Sequence, residues 1–233
     1  MRVLVTSAAS DIGSLISEGL RPGHDLRLTD LPGASSGDIT GCDLGHDDAT
    51  DQIVAGVDAV VHIGYEGQDG GAPALIDYHT RRTYNLLLAA SAAGVERCIY
   101  ISTLRLLQDY EENLTVTERW RSLPPTDDPV LLACHLGEVT CKEVARDGLL
   151  KVATLRLGFP IVKGDRSDAV ASGETAAVAS DDVVAAIRSA LTAEIEQWQD
   201  IHLQSPRPGQ RFLMHAAQKL LSYPETETQG AAR

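Results

Sequence analysis

The sequence predicts an α/β protein with a doubly wound parallel sheet, and three observations carry that prediction. Short runs of β-branched residues and leucine alternate with stretches of helical periodicity along the chain. Two of those runs, residues 59–63 and 98–102, are almost continuously apolar, as strands are when helices cover both faces of their sheet. Residues 2–30 contain a strand, a turn, a helix and a second strand in a compact βαβ arrangement. With 233 residues, 43% of them hydrophobic, the chain is long enough to bury a substantial core.

The elements follow in order. Arg2 to Thr6 is a strand by its composition, and Ile12, Leu15, Ile16 and Leu20 repeat at helical spacing until Arg21-Pro22-Gly23 stops the helix. Leu26 to Thr29 is the second strand and closes on Asp30. Further strands are expected near 38–42, 59–63, 98–102, 152–157 and 200–204, with helices near 47–55, 74–93, 130–147, 181–195 and 213–222. Gly64 to Pro73 is a glycine-rich loop, and Asp109 to Pro129 is a polar, proline-bearing connection. Both follow strand ends and are expected to border a ligand cleft. Lys163 to Thr175 reads as irregular. The expected partition is a core over 1–160, a short lobe over 161–224 that completes the sheet and cleft, and a polar tail over 225–233.

Charge and composition narrow the function. The formal net charge of -13 repels a phosphate backbone or an anionic membrane, so nucleic acid and membrane are not expected partners; small molecules and copies of the same chain are. No stretch approaches the roughly 20 apolar residues of a membrane span, and a cytoplasmic location is expected. Cys42, Cys98, Cys134 and Cys141 form no CxxC pair and read as reduced thiols. Cys134, Glu138 and Cys141 share one helix face, which reads as packing, and no metal is expected.

In a βαβ unit of this kind the first helix points its N-terminus at a pyrophosphate, and an acid at the tip of the second strand bonds the ribose hydroxyls. Asp30 stands at that tip, where its carboxylate repels a 2′-phosphate and so favours NAD over NADP. Ser7, Ser10 and Gly13 have the spacing of Gly-x-x-Gly-x-x-Gly, and the chain resembles the extended short-chain dehydrogenase/reductase family of epimerases, dehydratases and uronate dehydrogenases. Other stretches resemble the family in order: Cys42-Asp43-Leu44, Val57 to Ile63, Thr83 to Ala90, Gly94 to Thr103, Leu155-Arg156-Leu157-Gly158, Ser180 to Val183, Arg211-Phe212 and Leu220 to Pro224. The resemblance implies a Rossmann-type core with a much reduced C-terminal substrate lobe. It implies an NAD site at Ser7, Ser10, Asp11, Ile12, Gly13, Asp30, Asp43, Leu44, Gly64 and Tyr65, with Asp43 and Leu44 beside the adenine. It also implies a homodimer through the helices near 74–93 and 130–147, with Leu86, Leu87, Ala90, Val130, Leu131 and Ala133 as the apolar surface.

The chemistry departs from the family. There a tyrosine and a lysine four residues later move the proton that accompanies hydride transfer. Aligning Glu143 with the family's glutamate beyond that pair puts His135 at the tyrosine and Val139 at the lysine, and no tyrosine occurs between Tyr110 and Tyr223. His135 either takes over as acid or base near neutrality or is an ordinary polar residue on a helix face. Thr103 is placed to hydrogen-bond a substrate oxygen, and His79 stands where the family has asparagine. Gly13 keeps helix and strand in close contact, whereas Ser7 and Ser10 put side chains where the pyrophosphate passes. The leading expectation is an atypical NAD-dependent oxidoreductase or epimerase/dehydratase-type enzyme on a small sugar, sugar acid or polyol, using Thr103 and His135. The rivals are a non-catalytic dinucleotide or metabolite sensor, and a non-redox enzyme in which Tyr65, His79, Thr103 and His135 converge on dehydration, isomerisation or cyclisation.

Overall fold

The computed structural model describes residues 1–34, 36–64 and 71–223. Tyr65 and the tail over 225–233 lie outside the described residues. Among those described, seven strands form one parallel sheet in the order β3-β2-β1-β4-β5-β6-β9. The strands are β1 (Arg2–Val5), β2 (Asp25–Asp30), β3 (Ile39–Gly41), β4 (Ala59–Ile63), β5 (Arg97–Thr103), β6 (Lys151–Leu157) and β9 (Trp198–Leu203). Each agrees with its apolar run to within about two residues. The order reverses between β1 and β4, and such a switch point opens a crevice at the carboxyl ends of the strands.

Alternation along the strands divides the core into two layers. Val3, Val5, Ala59, Val61, Ile99 and Ile101 pack against α1 (Asp11–Leu20), α7 (Ser180–Ala190) and α8 (His215–Leu221). Leu4, Val60, Cys98, Tyr100 and Val152 pack against α2 (Asp48–Val54), α4 (Thr83–Ala92) and α5 (Pro129–Arg146). Each fully buried aliphatic side chain contributes about 1.5–3 kcal/mol. Helix starts are set locally: Ser10 accepts from Gly13 N, Asp47 accepts from Thr50 N, and Asp128 accepts from Val130 N and Leu131 N with Pro129 in the first turn. All four cysteines are buried and unbridged. No helix among the described residues is long and apolar enough to cross a membrane.

Four details differ from the expectations. The helix expected over 74–93 is α3 (Gly71–Asp77), a π turn over Tyr78–Arg82, and α4. Its wide turn is held from outside: Thr83 Oγ1 donates to Tyr78 O and lies 2.8 Å from His62 Nε2, whose other nitrogen lies 2.7 Å from Thr6 Oγ1. The stretch 163–175 contains α6 (Arg166–Ala171), closed by a reciprocal Asp165/Asp168 capping box, and α6 lies between β7 (Ile161–Val162) and β8 (Val178–Ala179), which pair in parallel. The helix expected over 181–195 ends at Ala190. Leu86, Leu87, Ala90, Leu131 and Ala133, expected at a dimer surface, are fully buried. They belong to the core because α4 and α5 pack against the sheet and each other, and the apolar side chains left outside on these helices are Tyr84 and Val139.

Tyr100 is the keystone of the second layer. A Cβ on Gly64 or on Gly137 would overlap its ring or hydroxyl, so both glycines exist to admit the phenol. Gly137→Ala is expected to lower stability by about 1–3 kcal/mol in urea unfolding, and Tyr100→Leu in the same chain should recover part of that loss.

Candidate functional site

The turn between β1 and α1 retains its shape through serine. Ser7 holds a left-handed backbone, φ 47°, at the first glycine position, a conformation that costs an L-residue about 1–2 kcal/mol. Three contacts stabilise it. Ser10 N donates to Ser7 O at 3.1 Å, Ser10 Oγ donates to the same oxygen at 2.7 Å, and Ser7 Oγ lies 2.6 Å from the Tyr78 hydroxyl. A Cβ on Gly13 would overlap the Ser7 carbonyl, so glycine there serves packing. Of the first-turn amides, Gly13 N donates to Ser10 Oγ at 3.0 Å, which leaves those of Asp11 and Ile12 without an intrahelical acceptor.

Asp30 ties β2 to this turn. Its Oδ2 accepts from Ala9 N at 2.9 Å and its Oδ1 from Leu31 N at 2.7 Å, which leaves each carboxylate oxygen able to accept again. Past β3, Asp43 is exposed and its carbonyl accepts from Arg82 Nη1 at 2.8 Å, while Leu44 is buried with φ 54°. Gly64 closes β4 by donating to Ile101 O. Ser7, Ser10, Asp11, Ile12, Gly13, Asp30 and Gly64 therefore surround the switch point, and Asp43 and Leu44 flank it.

Behind this rim lies a buried polar layer of Thr6, His62, Tyr78, His79, Thr83 and Tyr100. His79 is fully buried, with Nδ1 3.4 Å from the Tyr100 hydroxyl and its ring edge-on to Tyr78. Burial pushes the Tyr78 phenol up to about 12, against the pull of its hydrogen bonds to Ser7 and Thr6, and pushes Tyr100 well above its usual range. A tyrosinate base needs the opposite shift. Burial also depresses His62 to about 3 and keeps it neutral.

Thr103 and His135 are not brought together. Ser102 faces α5 and donates to Glu138 Oε1 at 2.7 Å, so Thr103, the next residue, points to the opposite side of the sheet. Its Oγ1 accepts from Arg105 N and caps the 3-10 turn Leu104–Leu107. His135 lines a cavity beside Glu138, Arg156 and Trp198, and its pKa is lowered by burial in spite of the neighbouring Glu138.

The glutamate that anchors α5 to the sheet is Glu138. Arg156 Nε donates to its Oε1 at 2.8 Å and Arg156 Nη2 to its Oε2 at 2.6 Å, with Ser122 Oγ donating to Oε2 at 3.3 Å. Glu143 instead pairs with Arg146 at the surface. Moving the glutamate from 143 to 138 moves the lysine position to Cys134 and the tyrosine position to Val130. Cys134 is fully buried, and burial pushes its thiol up. In neither alignment does α5 carry the phenol and ammonium. A sequence signal for Glu138 did exist: Arg156, inside a buried strand, requires a carboxylate partner.

Asp200 shares the same guanidinium at 3.2 Å, and burial pushes it up to about 7, against Arg156 and with Glu138. Between about pH 4 and 7 the unfolded chain thus releases a proton that the folded chain keeps, so this group lowers stability as pH rises through that window. His62 and His202, both depressed to about 3, act in reverse and lose stability as pH falls below 6.5. Asp200→Asn removes this opposing group, so the urea midpoint of the variant relative to the unsubstituted chain in the same buffers is expected to increase as pH rises from 5 to 7.5.

The sequence profile of the NAD dependent epimerase/dehydratase family matches residues 3–173. The chain belongs to this family. Over 121 residues it is 32% identical to a uronate dehydrogenase of Pseudomonas syringae pv. tomato, a match covering 49% of this chain and 44% of that protein. Over 171 residues it is 27% identical to an L-arabinose 1-dehydrogenase (NAD(P)(+)) of Haloferax volcanii, covering 68% and 66%. The matched stretches thus span between about two fifths and two thirds of these relatives' lengths. The uronate dehydrogenase structure from Agrobacterium tumefaciens superposes with a TM-score of 0.79 at 23% identity over 96% of this chain and 84% of that one. MoeE5 in complex with UDP-glucuronic acid and NAD gives 0.74 at 20% identity, covering 97% and 94%. These likenesses establish the epimerase/dehydratase fold for this chain.

Proposed function

We propose that this family member binds NAD at the β1–α1 turn and acts on a small sugar or sugar acid with hydride transfer slowed by loss of the proton relay. The observation that supports the reading is the turn itself, where Ser7 accepts the cost of a left-handed backbone and the Asp30 carboxylate bonds the Ala9 amide of the same turn. Bound NAD supplies the nicotinamide that exchanges hydride.

The chain's own residues do the rest. The amides of Asp11 and Ile12 face the pyrophosphate, with Ser7, Ser10 and Gly13 shaping the turn beneath it. The Asp30 carboxylate accepts the ribose hydroxyls and repels a 2′-phosphate. Asp43 and Leu44 flank the adenine and Gly64 ends β4 beside the switch point, while Thr103, 1% exposed with its hydroxyl capping the following turn, is assigned no step. Tyr65 was expected beside the cofactor and enters no step.

A dinucleotide sensor is the second reading, favoured by Val130 and Cys134 at the relay positions: binding without fast turnover is what a sensor needs. Non-redox acid–base chemistry has no gathered constellation among the described residues, since His79 is buried and Thr103 and His135 lie apart. A second copy of the chain is the partner proposed for the outer faces of α4 and α5, and a monomer in sedimentation at micromolar concentration would contradict it.

Calorimetric titration tests the binding. NAD should bind more tightly than NADP, and Asp30→Ala should weaken NAD by roughly 10–100-fold through loss of charge-assisted hydrogen bonds. Absence of any saturable heat with NAD would remove the proposal.

A further inference from the structure

At the opposite edge of the sheet, a cavity of about 610 Å³ lies between α5, the segment 118–122 and the face of β6 and β9. β9 is four strands from β1, roughly 19 Å at the usual interstrand spacing, so this cavity is separate from the dinucleotide turn.

Its buried polar atoms are not all satisfied. Arg156 is 4% exposed and commits Nε and Nη2 to Glu138, Ser122 and Asp200, but Nη1 has no hydrogen-bond partner among the described residues. The same holds for Trp198 Nε1 and His135 Nδ1, on two further residues lining the cavity. A guanidinium nitrogen and an indole nitrogen only donate, so the deficit is one of acceptors. Lys142 Nζ sits 4.0 Å above the Trp198 ring, so the indole offers its edge. Arg119, Arg121 and Lys142 add positive charge to the lining of a cavity in a chain whose net charge is -13.

The carboxylates on the same wall set the limit on the charge admitted. Glu138 and Asp200 both turn toward Arg156, Glu118 lines the same wall, and the three oppose a compact dianion, while Asp200, Gln199 and Ser122 provide partners for hydroxyl groups. We propose that this cavity binds a small hydroxylated monocarboxylate, its carboxylate on Arg156 Nη1 and the Trp198 indole N–H and its hydroxyls toward Asp200 and Gln199. Burial that pushes Asp200 up to about 7 agrees with this, because a protonated carboxyl repels the ligand less than a carboxylate.

The chain's 2 tryptophans, Trp120 and Trp198, both line the cavity, so their indole ¹⁵N–¹H resonances report directly on it. Sodium D-gluconate is the probe, with neutral D-glucitol and inorganic phosphate as controls, all without NAD. The expected result is a saturable shift of the Trp198 indole with gluconate at submillimolar to millimolar concentration. Glucitol should produce none and phosphate a weaker one. Trp198→Phe keeps the ring and removes one donor, and should weaken gluconate about tenfold as read at Trp120. His135→Ala gives an independent variant that leaves the Glu138–Arg156 pair intact and should weaken gluconate as well. No saturable shift with gluconate, an equal response to glucitol, phosphate binding as tightly as gluconate, or unchanged affinity in both variants would each overturn the proposal.

Discussion

Arg156→Met is expected to cost about 3–5 kcal/mol of stability, because it strands the buried Glu138 carboxylate with only hydroxyl partners. The guanidinium makes two parallel bonds to Glu138 and holds Asp200, with the Arg156 and Glu138 side chains 5% and 7% exposed. Adding Glu138→Leu removes the stranded charge and should recover most of the loss, since a buried ion pair is worth little against an apolar pair of similar volume. Urea midpoints of the single and double variants measure both effects. A single variant within about 0.5 kcal/mol of the unsubstituted chain would show that Glu138 finds another partner.

The second large effect concerns catalysis. Oxidation of D-glucuronate or L-arabinose by NAD in this chain is expected to run about 10²–10⁴-fold below a relative that carries the tyrosine, the range that positioned acid–base groups contribute. The reason lies in α5. Val130 and Cys134 occupy the relay positions counted back from Glu138, and the nearby phenols of Tyr78 and Tyr100 are shifted away from the tyrosinate form by burial. Val130→Tyr with Cys134→Lys is expected to raise the rate. Val130 is only partly buried, whereas Cys134 packs beside Leu106 and Leu131, so the folded fraction of that variant is measured alongside its rate.

The strands and most helices were legible because the information is local. An apolar run such as Val57 to Ile63 announces a buried strand, and Arg21-Pro22-Gly23 announces the end of α1. What the sequence concealed depends on partners far along the chain. The π turn needs Thr83 to meet His62, and the Ser7 conformation needs Tyr78, 71 residues away. The burial of Leu86 and Leu87 together shows that α4 is apolar on two sides because it has two neighbours, not because it offers a free face. Glu138 and Glu143 lie five residues apart on α5, and nothing local in the sequence says that Glu138 is the one bonded to Arg156 while Glu143 pairs with Arg146. Asp30 ends β2, and its two bonds to Ala9 and Leu31 show that it builds the turn, a role its position in the sequence does not reveal.

The scaffold and the missing relay meet in one measurement: NAD affinity by calorimetry and NADH formation by absorbance on the same sample with D-glucuronate. Saturable NAD binding with turnover well below the 1–10³ s⁻¹ of ordinary enzymes is the predicted result. Turnover inside that range in the unsubstituted chain would contradict the account, because it would require a proton acceptor that Val130, Cys134 and the buried phenols do not provide.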